Sequence, residues 1–270
     1  MRWDPSRYAA FADDRGRPFH DLVAQVAWPA DDGREAPRRV VDLGCGPGSL
    51  TATLAARWPS SPVVGIDSSA EMLASAAADP ALAGLPNLSF ELGAIEDWTP
   101  GPTDDVVVTN AALQWVPSHV ALLPRWLDAM PSGSWFAMQV PGNFGSPSHA
   151  LMRSIGASGP WASALDGVLR EDPVLDPAGY LGIMLDAGFA ARAWETTYAQ
   201  LLPGEDPVLD WVRGTGLRPA LAALDAADPT GALTAEYVER YRAALRETYP
   251  ASAHGTVYPF RRVFAVGRKP

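Results

Sequence analysis

The first half of the chain alternates short apolar runs with stretches in which apolar residues recur at helical spacing. Short apolar runs are typical of buried strands, whereas the helical spacing is typical of helices that pack on one face. Strands are predicted at 38–43, 62–67, 87–93, 104–110 and 133–140, and helices at 49–58, 70–78 and 119–130. This alternation indicates right-handed βαβ units and a parallel sheet that is covered on both faces.

The second half has a different pattern, because Pro and Gly repeatedly interrupt its helix-like segments. Alternating apolar positions predict strands at 191–202 and 259–268. Helices are predicted over 143–156, 161–188, 207–224 and 235–249. The arrangement predicts a sheet interrupted by helical insertions, which we expect to lie over the ligand end of the sheet.

Composition narrows the class of protein. The chain has 270 residues, of which 47% are hydrophobic, enough for one sizeable core with some elaboration. No apolar run approaches the ~20 residues of a membrane span, and the N-terminal residues do not resemble a signal peptide. The single cysteine, Cys45, excludes an internal disulfide framework and a cysteine-based zinc cluster. We therefore expect a cytoplasmic protein.

The net charge of −10 restricts the partners. It disfavours a nucleic-acid surface, which needs basic stripes, and it disfavours docking on an acidic carrier protein. All the basic residues except Lys269 are arginines. An anionic ligand is therefore expected to bind in a local arginine pocket, where planar guanidinium groups grip carboxylates at two points.

A glycine-rich turn, "DLGCGPG", follows the first predicted strand. Its glycines are Gly44, Gly46 and Gly48, whereas the dinucleotide fingerprint G-x-G-x-x-G requires glycine at the position of Ser49. Glycine has no Cβ, so a ligand can approach its backbone closely. The turn alone leaves three interpretations open: a nucleotide-like cofactor, a sulfonium cofactor, or a tight turn without ligand.

Asp67 ends the second predicted strand, about twenty residues after the glycines. A carboxylate in this place can accept hydrogen bonds from both hydroxyls of a ribose. The alternative is that Asp67, Ser68 and Ser69 only cap the following helix. We favour ribose binding, because the strand end and the glycine turn share one crevice.

The G-x-G-x-G spacing resembles motif I of the class I S-adenosylmethionine-dependent methyltransferases. The resemblance implies a Rossmann-like α/β fold, with a mostly parallel sheet, a closing antiparallel strand and helical caps. It implies that the cofactor-binding residues are Asp42, Gly44, Cys45, Gly46, Gly48, Asp67, Ser68, Met72, Ala94, Ile95 and Asn110. The family commonly has an acidic residue where Ala94 stands, so the backbone near Ile95, or Glu96, is expected to contact adenine instead.

A more specific resemblance extends from Trp3 to about Gly267. It rests on the stretches "WDPSRYAAFADDRGRPF", "DLGCGPG", "GIDSSAEML", "NAALQWVPSH", "QVPGNFGSPSHALMR", "WETTY", "DWVRGTGLRP" and "PFRRVFAV". In this order and spacing they resemble the trans-aconitate 2-methyltransferases. The resemblance implies methyl transfer from S-adenosylmethionine to one carboxylate of trans-aconitate, which leaves S-adenosylhomocysteine and a monomethyl ester.

This chemistry needs few catalytic groups. A carboxylate is ionised at neutral pH, so it can displace the methyl group directly and no general base is predicted. The enzyme must supply positioning and desolvation, and arginines are expected on the carboxylates that do not react. The predicted substrate-binding residues are Tyr8, Arg15, Arg17, Asn143, His149, Tyr198, Arg213, Arg218 and Arg261. Adjacent strand residues face opposite sides, so only one of Arg261 and Arg262 can face the ligand. No metal site is predicted.

We interpret residues 1–270 as one methyltransferase domain. Its predicted parts are a helical lid (1–34), a cofactor-binding core (35–140), cap insertions (141–190 and 200–257) and the last core strands (191–199 and 258–268). The alternatives are methylation of another small acid, esterification of a carrier-bound malonyl group, an NAD-dependent oxidoreductase and a catalytically silent regulator. The acidic charge disfavours the carrier, and the glycine spacing disfavours NAD.

Overall fold

The computed structural model describes residues 12–28, 33–171 and 173–270. The strands are β1 (Arg39–Leu43), β2 (Val63–Asp67), β3 (Leu88–Leu92), β4 (Asp104–Asn110), β5 (Trp135–Pro141), β6 (Ala190–Leu202) and β7 (Thr256–Arg268). The helices are α1 (Ala12–Val23), α2 (Ser49–Arg57), α3 (Ala70–Ala78), α4 (Pro80–Ala83), α5 (His119–Ala129), α6 (Pro147–Gly156), α7 (Ala162–Leu165), α8 (Pro177–Asp186), α9 (Pro207–Arg213), α10 (Arg218–Ala227) and α11 (Ala232–Thr248). Short 3₁₀ turns span Ile95–Asp97, Leu113–Trp115 and Asn143–Gly145.

The seven strands form one sheet in the order β3-β2-β1-β4-β5-β7-β6. β7 runs antiparallel to both its neighbours, and the other pairs are parallel. The predicted mostly parallel sheet with one antiparallel strand is confirmed. Because β1 pairs with β2 on one side and with β4 on the other, a crevice opens at the carboxyl ends of β1 and β4.

The burial of the strands follows their place in the sheet. β1 and β4 are buried along nearly their whole length, because helices cover both faces of the central strands. β3 and β6 are the edge strands, and in both of them exposed residues alternate with less exposed ones. The continuous apolar runs that predicted central strands therefore reflect burial on two faces.

Among the described residues, three hydrophobic clusters form the core. One packs α5 and α8 against one face of the sheet, and a second packs α1 and α2 against the other. The third contains residues of helices α6, α7, α9, α10 and α11 and of the beginning of β7, with Trp161, Trp211 and Tyr237 among its largest side chains. This third cluster, called the cap here, stands beside the carboxyl ends of the strands.

One helix in the segment 141–190, which the sequence assigned to the cap, belongs to the sheet layer. α8 packs against β6, and its Tyr180 and Met184 are buried in the cluster on the sheet face. A crossover between strands of one sheet must bring its last helix back onto the sheet, which explains this placement. β6 also continues as a strand to Leu202, past the predicted boundary at 199.

The described part of the N-terminal segment packs on the core. Phe19 and Leu22 of α1 are buried with Val40 and Phe264. The Arg57 guanidinium donates to the carbonyls of Val23 at 2.6 Å and of Val26 at 2.7 Å. The Val23 carbonyl also accepts the N–H of Val26 at 3.1 Å, so Arg57 of α2 joins the turn that ends α1.

Membrane crossing would require a long apolar helix, and none of the helices in the described ranges reaches that length and apolarity.

Candidate active site

A cavity of about 330 Å³ lies between the carboxyl ends of the central strands and the cap. Its described walls on the sheet side include Asp42, Gly44, Cys45, Gly46, Asp67, Ser68, Met72, Ile95, Glu96, Asn110, Ala111 and Gln114. On the cap side they include Asn143, His149, Met152, Arg153, Arg170, Thr215, Gly216, Phe260 and Arg262. The crevice that the sheet topology predicts is therefore roofed by the cap.

The glycine turn is tied to the second strand. Gly44 and Cys45 both donate their N–H groups to the carbonyl of Ile66, at 2.8 and 3.1 Å. Gly44, Gly46 and Gly48 have φ values of 79°, 57° and 80°, in the left-handed region that side chains disfavour. Three left-handed residues so close together explain why the turn is built from glycine.

The three glycines have different surroundings. A Cβ on Gly44 would lie 2.3 Å from the Cβ of Ala112, and one on Gly48 would lie 2.4 Å from the Cζ of Phe90. A Cβ on Gly46 would meet no atom within 4 Å. Gly44 and Gly48 are therefore required by the packing of the chain itself, whereas Gly46 leaves open space that a ligand can fill.

Asp67 holds the glycine turn. Its carboxylate accepts the N–H of Gly46 and the N–H of Ser69, both at 2.8 Å. The residue that caps α3 is Ser69, whose hydroxyl accepts the N–H of Met72 at 3.2 Å. A carboxylate has about four acceptor sites, so Asp67 retains capacity toward the cavity that it lines.

Asp42 at the end of β1 and Cys45 within the glycine turn are both buried. Asp42 is buried and accepts the hydroxyl of Thr51 at 2.7 Å. Burial raises the pKa of the Asp42 carboxyl to about 7, with the Thr51 hydrogen bond opposing and the nearby Asp67 adding to the shift. Burial, together with these two carboxylates, also raises the pKa of the Cys45 thiol. The thiol is therefore protonated and is a poor nucleophile.

The apolar end of the cavity contains Met72 and Ile95, both buried. Glu96 lines the wall beside them. Ala94 precedes the 3₁₀ turn Ile95–Asp97 and does not belong to the described lining. The residues next to Ala94 therefore form this wall, in a place where a flat aromatic base could be sandwiched.

The turn after β4 carries unusual backbone and polar groups. Ala111 has φ of 52°, which is strained for a residue with a Cβ. The Gln114 amide nitrogen donates to the carbonyl of Ala111 at 2.5 Å and so supports this conformation. The Oδ1 of Asn110 and the Oε1 of Gln114 are buried without a hydrogen-bond partner among the described residues. Both residues line the cavity, so a bound ligand with N–H groups would satisfy these oxygens.

Three arginines from different elements line the opposite part of the cavity. Arg153 on α6 donates to the carbonyl of Phe144, and Arg170 donates to the carbonyl of Gln114, both at 2.6 Å. Arg262 on β7 is buried, with its guanidinium 4.3 Å from the ring centroid of Phe260. The sequence did not single out Arg153 and Arg170. This part of the cavity is suited to anions.

Two predicted polar residues, Asn143 and His149, also line the cavity. Asn143 is buried, and neither its amide nitrogen nor its amide oxygen has a hydrogen-bond partner among the described residues. Burial, assisted by the nearby Arg153, lowers the pKa of His149 to about 4. Both side chains are therefore uncharged at neutral pH.

Tyr198 and Arg17 occupy a different place. The Tyr198 hydroxyl donates to the carboxylate of Asp21 at 2.7 Å, and the Arg17 guanidinium lies 5.4 Å from the Tyr198 ring centroid. Arg17 is 73% exposed and is 4.0 Å from Asp21. Neither residue belongs to the described lining of the cavity, which α1 reaches through Phe19 instead.

Arg261 and Arg262 face opposite sides of β7, as strand geometry requires. Arg261 pairs with Glu195 at 3.0 Å and donates to the carbonyl of Gly142 at 3.2 Å, outside the cavity. Arg262, which pairs in register with Pro141 on β5, is the one that faces the cavity. The prediction that Arg261 lines the cavity is therefore corrected, because Arg262 is the residue that lines it.

The remaining predicted residues are distributed as follows. Gly44, Gly46, Asp42, Cys45, Asp67, Ser68, Met72, Ile95, Asn110, Asn143 and His149 line the cavity, whereas Gly48, Ala94, Arg213 and Arg218 do not belong to its described lining. Tyr8 and the side chain of Arg15 lie outside the described residues. Within the described ranges, no three His, Cys, Asp or Glu side chains are grouped to hold a metal ion.

A family model described as a methyltransferase domain matches residues 40–133. Trans-aconitate 2-methyltransferase of Streptomyces coelicolor is 52% identical to this chain, over 99% of the chain and 87% of that protein. The protein of the same name from Streptomyces avermitilis is also 52% identical, over 99% of the chain and 97% of that protein. Haemonchus contortus phosphoethanolamine N-methyltransferase 2, solved with phosphomonomethylethanolamine and S-adenosylhomocysteine, has a TM-score of 0.54 and 15% identity, over 94% of this chain and 52% of that one. This last likeness concerns the fold alone.

Proposed function

Because the chain belongs to the trans-aconitate 2-methyltransferase family, we propose that it transfers a methyl group from S-adenosylmethionine to one carboxylate of trans-aconitate. The observation that carries the proposal is the composition of the cavity. A glycine turn held by Asp67 forms one end, and the guanidinium groups of Arg153, Arg170 and Arg262 form the other. A nucleoside-containing donor and a small polyanion can therefore meet within one enclosed space.

The sheet side of the cavity fits the cofactor. Asp67 has acceptor capacity for the ribose, and Met72 and Ile95 offer apolar surface to the adenine. The partnerless oxygens of Asn110 and Gln114 suit the ammonium group of the methionine end. When bound, S-adenosylmethionine supplies a methyl group on a positively charged sulfur.

The cap side fits a polycarboxylate. Arg153, Arg170 and Arg262 approach from three different elements, so separate carboxylates of one ligand can each meet a guanidinium. Hydrogen bonds between charged groups contribute about 1.5–3 kcal/mol each, more than neutral ones. Guanidinium groups also hold carboxylates in a defined plane, which orients the ligand as well as binding it.

Rate acceleration in this cavity has two sources. One is the orientation of the substrate, and the other is the type of side chain that contacts the reacting carboxylate. An arginine on the nucleophilic carboxylate would stabilise its charge before reaction, and that charge is lost as the ester forms. Uncharged donors such as Asn143 and neutral His149 orient the carboxylate without this cost. No proton has to be removed, so no general base is needed. The enclosing cap excludes water and increases the nucleophilicity of the carboxylate.

A mass-spectrometric assay tests this function. The protein is incubated with S-adenosylmethionine and, in separate reactions, with trans-aconitate, cis-aconitate, isocitrate or citrate. We expect a monomethyl ester with the highest kcat/KM from trans-aconitate, and calorimetry should show binding of S-adenosylhomocysteine but not of NADH. An ester formed faster from another acid would reassign the substrate. Binding of NADH without S-adenosylhomocysteine would refute the methyltransferase function.

The cytoplasmic location and the absence of a carrier protein or nucleic-acid partner stay predictions from composition and charge.

A further inference from the structure

Ser148 makes a hydrogen bond to a different tyrosine through each of its polar groups. Its N–H donates to the Tyr249 hydroxyl at 3.1 Å, and its carbonyl accepts the Tyr241 hydroxyl at 2.9 Å. Its own hydroxyl lies 3.1 Å from the hydroxyl of Tyr258. Ser148 is fully buried, so water does not compete for these bonds. Three hydroxyls thus fix one small residue, and we call this group the tyrosine clamp.

The clamp acts at the start of α6. Ser148 is the second residue of this helix, after Pro147. The first N–H groups of a helix have no partner within the helix, and the Tyr249 hydroxyl supplies one. Tyr241 belongs to α11, Tyr249 directly follows that helix, and Tyr258 lies on β7. The clamp therefore fixes α6 both to α11 and to β7 of the sheet.

The face of α6 that follows the clamp lines the cavity. His149, Met152 and Arg153 stand at helical spacing, and all three belong to the cavity wall. The Ser148 hydroxyl also lies 3.3 Å from Nδ1 of His149. A shift or rotation of the start of α6 would therefore move His149 and Arg153 together.

We propose that Ser148 is a positioning residue for substrate binding, and that the tyrosine clamp sets where α6 presents Arg153 and His149 to the carboxylates. The inference rests on the proposed function. Each buried hydroxyl must find a hydrogen-bond partner when it leaves water. Joining two helices and a strand through a cluster of hydroxyls is therefore energetically unfavourable unless every hydroxyl is paired. Apolar side chains would join them without that requirement, whereas directional hydrogen bonds fix the position of α6 more tightly.

Two of the clamp tyrosines, Tyr241 and Tyr258, keep the same hydrogen-bonding state across the physiological pH range. Burial raises the pKa of Tyr241 and of Tyr258 above the ordinary value of a phenol, so both hydroxyls remain protonated. His149 on the cavity side is neutral under the same conditions. The position of Arg153 is therefore expected to be independent of pH near neutrality.

Kinetics of Ser148→Ala and Tyr249→Phe test the proposal, with Tyr180→Phe as the matched control. Tyr180 is a buried tyrosine whose hydroxyl bonds to His119 and to the N–H of Leu175, away from the clamp. Both clamp variants should raise KM for trans-aconitate at least tenfold while the Kd for S-adenosylhomocysteine changes less than twofold. Tyr180→Phe should lower Tm without changing KM. An unchanged KM in Ser148→Ala and Tyr249→Phe would overturn the proposal.

A double-mutant cycle separates positioning from general destabilisation. If Ser148 acts through Arg153, then Ser148→Ala should raise KM far less in an Arg153→Gln background than in the wild-type protein. Equal effects in the two backgrounds would mean that Ser148 does not act through Arg153. Tyr249→Phe provides the same cycle if Ser148→Ala does not fold.

A measurement without substrate keeps this inference distinct from the proposed function. The ring nitrogens of His149 can be followed by ¹⁵N NMR, with His149→Gln identifying the signal among the four histidines. Ser148→Ala should shift this signal and change the pH at which it titrates. An unchanged signal would refute the positioning role even if the wild-type protein methylates trans-aconitate. If the wild-type protein forms no ester, the proposed function fails, and the NMR result still decides whether Ser148 positions His149.

Discussion

The carboxylate of Asp67 accepts the backbone N–H of Gly46 at 2.8 Å. This bond links the end of β2 to the middle of the glycine turn that follows β1. Gly46 is also the glycine whose missing Cβ leaves open space on the cavity side. The same carboxylate therefore shapes the glycine-turn end of the cavity and lines it.

Replacement of Asp67 by Ala should weaken cofactor binding by about 1–3 kcal/mol, the scale of a lost charge-assisted hydrogen bond. Calorimetric titration with S-adenosylhomocysteine measures this loss. Ser69→Ala is the matched control, because Ser69 caps α3 through the N–H of Met72 and should affect Tm alone. If Asp67→Ala binds the cofactor as tightly as the wild-type protein, the role of Asp67 is limited to holding the turn.

The sheet and the glycine turn could be predicted from sequence because their signals are local. Apolar runs mark β1 and β4, which are buried on both faces, and positive φ values require glycine at Gly44, Gly46 and Gly48. These features depend on a few adjacent residues. Most residues predicted near the glycine turn therefore line the sheet side of the cavity.

The arginines could not be predicted in the same way, because their placement depends on packing between distant segments. Arg170 reaches the cavity only through the fold of the cap, and nothing local marks it. Arg262 rather than Arg261 faces inward because β7 pairs with β5 in the observed register. The sequence did contain a signal for Arg153. It follows the predicted His149 by four residues on one helix, so both side chains lie on the same face of that helix.

The glycines should differ in what their replacement by Ala does. Gly48→Ala combines a left-handed φ with a clash against Phe90, so we expect a loss of stability on the order of 3 kcal/mol. Gly46→Ala meets no atom of the protein and should cost only about 1–2 kcal/mol, yet it should weaken binding of S-adenosylhomocysteine. Chemical denaturation and calorimetry measure the two effects.

Gly188→Ala is the control for this pair. Gly188 also has a positive φ, of 78°, and a Cβ at this position would meet no atom within 4 Å. It follows α8, away from the cavity. Its replacement should match Gly46→Ala in stability and leave cofactor binding intact. Equal binding by the Gly46 and Gly188 variants would show that the open space at Gly46 is not used by the cofactor.

Replacing Arg153, Arg170 or Arg262 by Gln should raise KM for trans-aconitate by about tenfold to a hundredfold, the equivalent of one lost charge-assisted bond. The increase should be smaller for a monocarboxylate analogue, which has no second and third carboxylate to hold. Arg261→Gln is the control, because it removes the same charge from the adjacent position, where Arg261 pairs with Glu195 outside the cavity. Equal increases in KM for both substrates would identify the arginine as structural.

The stability of the ligand-free protein should depend on pH through Asp42. Burial raises the pKa of this carboxyl to about 7, above its value of about 4 in the unfolded chain, so the folded state holds the proton more tightly. Stability is then lost as the pH rises from about 4 through 7, because the folded state must ionise a buried group. The loss should be about 4 kcal/mol, since each pKa unit corresponds to about 1.4 kcal/mol.

Asp42→Asn should remove this dependence, and Thr51→Val should extend it to higher pH, because the Thr51 hydroxyl stabilises the ionised form. Denaturation at a series of pH values between 4 and 8 measures both effects. A constant difference in stability between the wild-type protein and Asp42→Asn over this range would contradict the assignment.

Transfer of a labelled methyl group tests the central claim most directly. The protein is incubated with S-adenosylmethionine bearing a trideuteromethyl group, together with trans-aconitate, and the product is analysed by mass spectrometry. The account predicts a trans-aconitate monomethyl ester that carries the intact trideuteromethyl group, formed in step with S-adenosylhomocysteine. Cofactor turnover without label in the acid, or no turnover by a folded protein that binds the cofactor, would contradict it.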